Sequence, residues 1–176
     1  MITSGHERAG DSPSRGPRRR LVVVGVDDTP QARAALAWAV EHAQRSQSRV
    51  LAVTAWSTPV QMPVGPDLAA GTTVIDPFAD EQLEVAADRW LGSAISELPG
   101  DAADIVDRSV VLGDAVTALL NAAHEADLLV LGNPCRGALA SAVVGSVAAR
   151  CLHHAECPIV LVPDPARSKA RRAQPP

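Results

Sequence analysis

Val130-Leu131-Gly132-Asn133-Pro134-Cys135-Arg136-Gly137, continuing to Gly145-Ser146 and then to Cys157-Pro158-Ile159-Val160, is the stretch that decides the fold. An apolar run stops at a glycine, a small polar loop intervenes, and a glycine-serine pair opens a helical pattern ahead of a second apolar run. That is the order of a strand, a turn able to cradle phosphate, a helix and a parallel strand. Such a turn is where nucleotides settle in open α/β sheets.

Toward the amino end, Leu21-Val22-Val23-Val24-Gly25-Val26 is an unbroken apolar run closed by Asp27-Asp28-Thr29-Pro30, which reads as a doubly buried strand followed by a helix start. From Pro30 to Gln47 the positions Ala32, Leu36, Ala39, Val40 and Ala43 recur at steps of three and four, the stripe of a half-buried helix. Val50 to Trp56 forms a second strand. Residues 57–79 hold four Pro and two Gly, a long loop suited to closing over a ligand. Helical spacing returns from Asp80 to Leu98 and ends at Pro99-Gly100.

Ile105 to Leu112 reads as a third strand, and Asp107 and Arg108 within it suit a sheet edge. A helix follows from Gly113-Asp114 to Ala126, then a fourth strand over Leu128 to Leu131, a last helix over Ser141 to His154 and a fifth strand over Pro158 to Val162. Strands that alternate with helices need crossover connections and hence a parallel sheet. The expected fold class is α/β: an open, parallel, five-stranded sheet with helices on both faces, three layers deep and Rossmann-like. No internal repeat is visible.

Composition agrees. Apolar residues make up 47% of the 176 residues but aromatic residues only 2%, so the core has to be built from Ala, Val, Leu and Ile. Residues 1–20 carry five Arg against Glu7 and Asp11, and residues 164–176 three Arg and Lys169 against Asp164. With a net charge of −4 overall and +3 at each end, the body between carries −10. We expect disordered basic tails over 1–20 and 164–176 flanking one domain over 21–163. An acidic body without aromatic platforms argues against nucleic acid as a partner. No apolar run approaches the ~20 residues of a membrane span, and a basic-then-apolar leader is missing, so a cytoplasmic protein without membrane contact is expected.

Cys135, Cys151 and Cys157 form no C-x-x-C pair and read as free thiols rather than zinc ligands. His153 and His154 suit the carboxyl end of a helix, where the dipole favours positive charge. With no G-x-x-x-x-G-K-[ST] loop and a single lysine, Lys169, phosphate donors have to be backbone amides. The N–H groups of Gly145, Ser146 and Val147 would serve if the helix begins there, and would be consumed internally if it begins at Ser141. Gly145 has the further reading of a packing glycine between helix and sheet. Arg136 is a candidate counter-charge for phosphate. Catalytic signatures such as G-x-S-x-G and H-E-x-x-H do not occur, so catalysis is not expected.

Val26-Asp27 followed by Pro30, then Ala126-Asp127-Leu128-Leu129-Val130-Leu131-Gly132, Gly145-Ser146-Val147, and the run from His153 to Pro163 together resemble the universal stress protein family over residues 20–163. Nucleotide-binding members carry a glycine, two residues, a glycine, nine residues, then glycine and Ser or Thr. Gly132 and Gly145-Ser146 occupy the first and last places, while Cys135 stands where the second glycine belongs. The resemblance implies the adenine-nucleotide α-hydrolase-like fold with strand order 3-2-1-4-5, so that the ends of strands one and four meet. It also implies an adenine nucleotide, ATP with or without Mg2+, held by Val26, Asp27, Ala55, Gly132, Cys135, Arg136, Gly145, Ser146 and Val147. By the same token Asp27 takes the adenosine end and the backbone around Ala55 reads the adenine edge.

Three alternatives stay open. Asp27 or Asp28 has the simpler reading of a helix cap. A cysteine at position 135 brings a Cβ and a sulfur where backbone has to approach phosphate, which allows a dimeric interaction scaffold without nucleotide. In that scaffold Cys135 serves as a redox-responsive thiol, its pKa lowered by nearby amides. Homodimerisation through Ile159, Val160, Leu161 and Val162 is implied by the resemblance and suits a short apolar edge strand.

Overall fold

Val22, Val23 and Val24 are at most 2% exposed because their strand has a parallel neighbour on each side and helices above and below. The computed structural model describes residues 20–57, 79–133 and 145–163. Strands β1 (Leu21–Gly25), β2 (Arg49–Trp56), β3 (Val106–Leu112), β4 (Leu128–Asn133) and β5 (Ile159–Pro163) alternate with helices α1 (Pro30–Ser46), α2 (Ala79–Ser96), α3 (Ala115–Ala123) and α4 (Ser146–His154). A short 3-10 turn, Ala102–Ile105, precedes β3. The order across the sheet is β3-β2-β1-β4-β5, all parallel, the expected three-layer Rossmann-like arrangement.

Alternation along the strands divides the interior into two cores. Val22, Val24, Val50, Ala52 and Val130 meet the alanine stripe of α1 and Leu91 and Ala94 of α2. Val23, Val53, Leu129 and Leu131 meet Val116, Leu119 and Ala123 of α3 and Ala148 and Cys151 of α4 on the opposite face. Small side chains on α1 let its backbone lie close to the sheet, which is how a chain with so few aromatic residues still closes its core. Asp127 sets the β1–β4 register: its carboxylate accepts the Leu21 N–H at 2.8 Å and its own N–H donates to the Leu21 carbonyl at 2.9 Å.

The polar interruption of β3 has the expected meaning. β3 is an edge strand, and Asp107 receives a two-pronged hydrogen bond from Arg49 of β2 while Arg108 pairs with Asp88 of α2 at 3.6 Å. β5 is the other edge. Several boundaries differ from the sequence reading. Neither Asp27 nor Asp28 caps α1: Thr29 does, its hydroxyl accepting the Ala32 N–H at 3.2 Å, with Pro30 in the first turn where a missing N–H costs nothing. α3 stops at Ala123 rather than Ala126, tightening into a turn in which the Ala126 N–H reaches the Ala123 carbonyl. Of the segment expected to open the last helix, 141–144 lies outside the described residues and Gly145 is extended (φ −58°, ψ 154°), so α4 starts at Ser146. Both predicted tails, apart from Arg20, and residues 58–78 of the long loop also lie outside the described residues.

α1 ends on Gln47 in the left-handed conformation (φ 53°, ψ 40°), with the Ser48 N–H returning to the Ala43 carbonyl at 2.9 Å. A side chain with a Cβ is disfavoured there, and glycine is the usual occupant. Gln47→Gly is expected to raise stability by about 0.5–1 kcal/mol, net of the extra freedom glycine gives the unfolded chain. A lower urea midpoint than wild type would contradict this.

Candidate functional site

In this sheet the chain runs outward from β1 to β2 and β3 and then returns to the other side of β1 as β4, so strand order reverses between β1 and β4. Ligands of open α/β sheets bind outside the carboxyl ends of the strands at such a reversal. A cavity of about 260 Å³ lies there, walled by the ends of β1, β2 and β4 and the first turns of α1, α3 and α4. Val26, Asp27, Ala55, Gly132, Gly145, Ser146 and Val147, separated by up to 121 positions in sequence, all line it. Cys135 and Arg136, with Pro134 and Gly137, lie outside the described residues.

The floor is fixed by β1 and β2. The Val26 N–H donates to the Val53 carbonyl at 2.9 Å, and the buried Thr54 hydroxyl donates to the Val26 carbonyl at 2.9 Å. Val26 therefore offers the cavity a side-chain wall rather than a free N–H. Asp27 is exposed; its Oδ1 accepts the Thr29 N–H at 3.1 Å and the Thr29 hydroxyl, and thus orients the residue that caps α1. Its Oδ2 makes no hydrogen bond among the described residues.

Gly132 ends the apolar part of β4 against the first turn of α1. A Cβ there would stand 2.8 Å from the Gln31 carbonyl carbon, 2.9 Å from its oxygen and 3.0 Å from the Ala32 nitrogen, all main-chain atoms. Gly132 thus makes a close strand–helix approach of the kind considered for Gly145. At Gly25 the obstruction comes from the ends of Leu131 and Leu119 side chains.

Three helix amino termini face the cavity, and they differ in how their orphan N–H groups are satisfied. α1 is capped by Thr29, and α3 by Asp114, whose Oδ1 accepts the Thr117 N–H at 3.0 Å. α4 is capped by Gly145 with no side-chain bond. Its first helical bond runs from the Ala149 N–H to the Gly145 carbonyl at 2.8 Å, which leaves the amides of Ser146, Val147 and Ala148 without an intrahelical acceptor. α4 thus begins at Ser146 and not at Ser141, so these amides are not spent inside the helix. Asp114 also receives Arg150 of α4, at 3.2 and 3.4 Å. Its pKa is lowered by the Thr117 amide, with further help from the Thr117 hydroxyl and Arg150.

Thr29, Gln31 and Ala32 of α1 and Ala115 and Leu119 of α3 also line the cavity and were not singled out from sequence. Thr29 had a legible signal, a capping residue before Pro30. Gln31 and Ala115 had none. Cys151 is fully buried on the inner face of α4 and Cys157 partly buried; burial pushes both thiols above their ordinary value. Among the described residues no helix is long and apolar enough to cross a membrane.

The architecture defines a Rossmann-like α/β protein with its cavity at the sheet's point of reversal. A model of the universal stress protein family matches residues 18–163, and the chain belongs to that family. A universal stress protein of Mycobacterium bovis is 30% identical over 147 residues, covering 82% of this chain and 46% of the relative. The chain spans about half the length of the curated relatives it matches. The universal stress protein UspA from Lactobacillus plantarum superposes with a TM-score of 0.62 at 24% identity, over 84% of this chain and 99% of that one. A universal stress protein solved in complex with cAMP gives 0.53 at 24% identity, over 83% and 98%. One from Archaeoglobus fulgidus in complex with dAMP gives 0.54 at 20%, over 82% and 97%.

Two outcomes follow from this geometry. Gly132→Ala should destabilise by about 1–3 kcal/mol, because helix backbone cannot yield as side-chain ends can, and Gly25→Ala by less; equal urea midpoints for the two variants would refute the close approach. Because Asp114 titrates below its ordinary value of 3.8, its contribution is present above that value and disappears as pH falls through the folded-state pKa. The stability difference between wild type and Asp114→Ala, which removes the α3 cap together with the Arg150 partner, should hold from neutral pH down to that region and then shrink, as followed by thermal unfolding across pH.

Proposed function

We propose that this protein binds an adenine nucleotide in the cavity between β1 and β4, with ATP the expected ligand, and acts as a stress-response regulator through its occupancy. The observation that carries this reading is the uncapped amino terminus of α4, whose Ser146, Val147 and Ala148 amides border a cavity also bounded by Asp27 and Gly132. Unpaired amides and the positive end of the helix dipole favour an anion. Phosphate goes to α4, where the Ser146 hydroxyl adds a donor, and the nucleoside lies toward Asp27 and Ala55. Relatives of the same fold hold cAMP and dAMP. Among the described residues no group of three or more His, Cys, Asp or Glu forms a metal site, so Mg2+ would arrive on the phosphates.

Cys135 in the second glycine's place favours a second reading, an interaction scaffold whose cavity has lost its nucleotide. Isothermal titration with ATP, AMP and cAMP separates the two. Wild type should bind at least one of them, and Asp27→Ala should weaken binding by about tenfold or more, the range for a hydrogen bond to a charged group. Binding gained only in Cys135→Gly would establish the scaffold.

Homodimerisation through β5 is part of the proposal. This edge strand is apolar, and Ile159, Val160 and Leu161 remain partly exposed in the isolated chain. An aspartate in place of Val160 should convert dimer to monomer on size exclusion, and an unchanged elution volume would remove β5 from the interface.

A further inference from the structure

We propose that Asp114 and Arg150 form a clasp that positions the amino end of α4 at the cavity and so tunes nucleotide affinity without touching the nucleotide; this rests on the reading of the site given above. α4 has nine residues and buries only Ala148 and Cys151, while Leu152 is 48% exposed. Packing alone holds such a short helix weakly. Its amino terminus has no side-chain cap, so its placement depends on what ties the helix to its neighbours.

The Arg150 guanidinium makes that tie as a fork, Nη1 to Asp114 Oδ2 at 3.2 Å and Nη2 to Oδ1 at 3.4 Å. The carboxylate it grips is itself immobilised, because Oδ1 also holds the Thr117 amide and hydroxyl, at 3.0 and 3.1 Å. α3 in turn is anchored in the core by Val116, Leu119 and Ala123. Arg150 lies four residues after Ser146, on the same helix face, so the restraint acts one turn below the amides assigned to phosphate. Among the described residues, the contact of His124 Nδ1 with Glu156 Oε2 at 3.1 Å also joins these two segments, but it sits beyond the carboxyl ends of both helices and cannot set their amino ends. Both clasp side chains are about half exposed, so the pair adds little to global stability. Its effect is local order.

The test uses the full chain with Asp114→Asn, Arg150→Gln and the double variant. Asparagine caps a helix as well as aspartate, so Asp114→Asn removes the ionic partner and leaves the cap. Titration with ATP should show each single variant weakened by about two- to fivefold, the reach of one exposed pair, the double variant no weaker than either single, and the melting temperature nearly unchanged. Hydrogen exchange at the Ala149, Arg150 and Cys151 amides should quicken in each variant while α1 is unaffected. Arg150→Gln weakening ATP while Asp114→Asn binds as well or better would mean that Arg150 acts on phosphate directly, and would overturn the clasp. Unchanged α4 exchange would overturn it too. If wild type binds no adenine nucleotide, the nucleotide reading fails and the exchange result alone decides the clasp.

Discussion

Everything at the working end of this fold depends on how closely β4 can approach α1. Main-chain atoms of Gln31 and Ala32 occupy the space where residue 132 would carry a Cβ, so only glycine lets the strand end beneath the helix. That contact puts the α1 amino terminus over the point where strand order reverses and brings Asp27 and Gly132 to one cavity wall. A side chain at position 132 would lift α1 from β4 and open the space between them. The glycine is therefore a packing requirement of the fold before it is anything to a ligand.

The second organising feature is an asymmetry in capping. Three helices point their amino ends at the cavity, and each carries partial positive charge there. In two of them a side-chain oxygen, of Thr29 or Asp114, accepts one of the orphan N–H groups, while the third ends on a capping glycine that offers none. The body of the chain carries −10, and Asp27 is the one charged residue among the described lining of the cavity. For the phosphate binding proposed above, the amino end of α4 is therefore the place where an anion is expected to sit. Preference in such a site comes from placed amides and not from lysine or arginine fields, so it is set by helix position to within a hydrogen-bond length.

The two sheet edges are managed differently. β3 has its backbone edge flanked by ionic side chains, Asp107 with Arg49 and Arg108 with Asp88, which disfavour another strand. β5 carries Ile159, Val160, Leu161 and Val162 and no charge at all. The asymmetry supports the proposed association through β5, and it is legible in the residue types themselves.

The fold class, the five strands and their parallel connections were legible in the sequence, because hydrophobic period and crossover logic belong to local segments, and the family was legible as a resemblance carried by Val26-Asp27, Gly132, Gly145-Ser146 and the run into β5. Through the family resemblance it also pointed to Val26, Asp27, Ala55, Gly132, Gly145, Ser146 and Val147, which line the cavity, but not to Gly25, Val53, Leu131 and Ala148 beside them. What emerged only from the packed fold is that Thr29 rather than an aspartate caps α1, that α4 begins at Ser146, that Gln31, Ala115 and Leu119 complete the described lining of the cavity, and that Arg150 reaches Asp114. Each of these turns on where one element's end falls relative to another, which depends on packing distance across the sheet, and no spacing within a single segment encodes that distance.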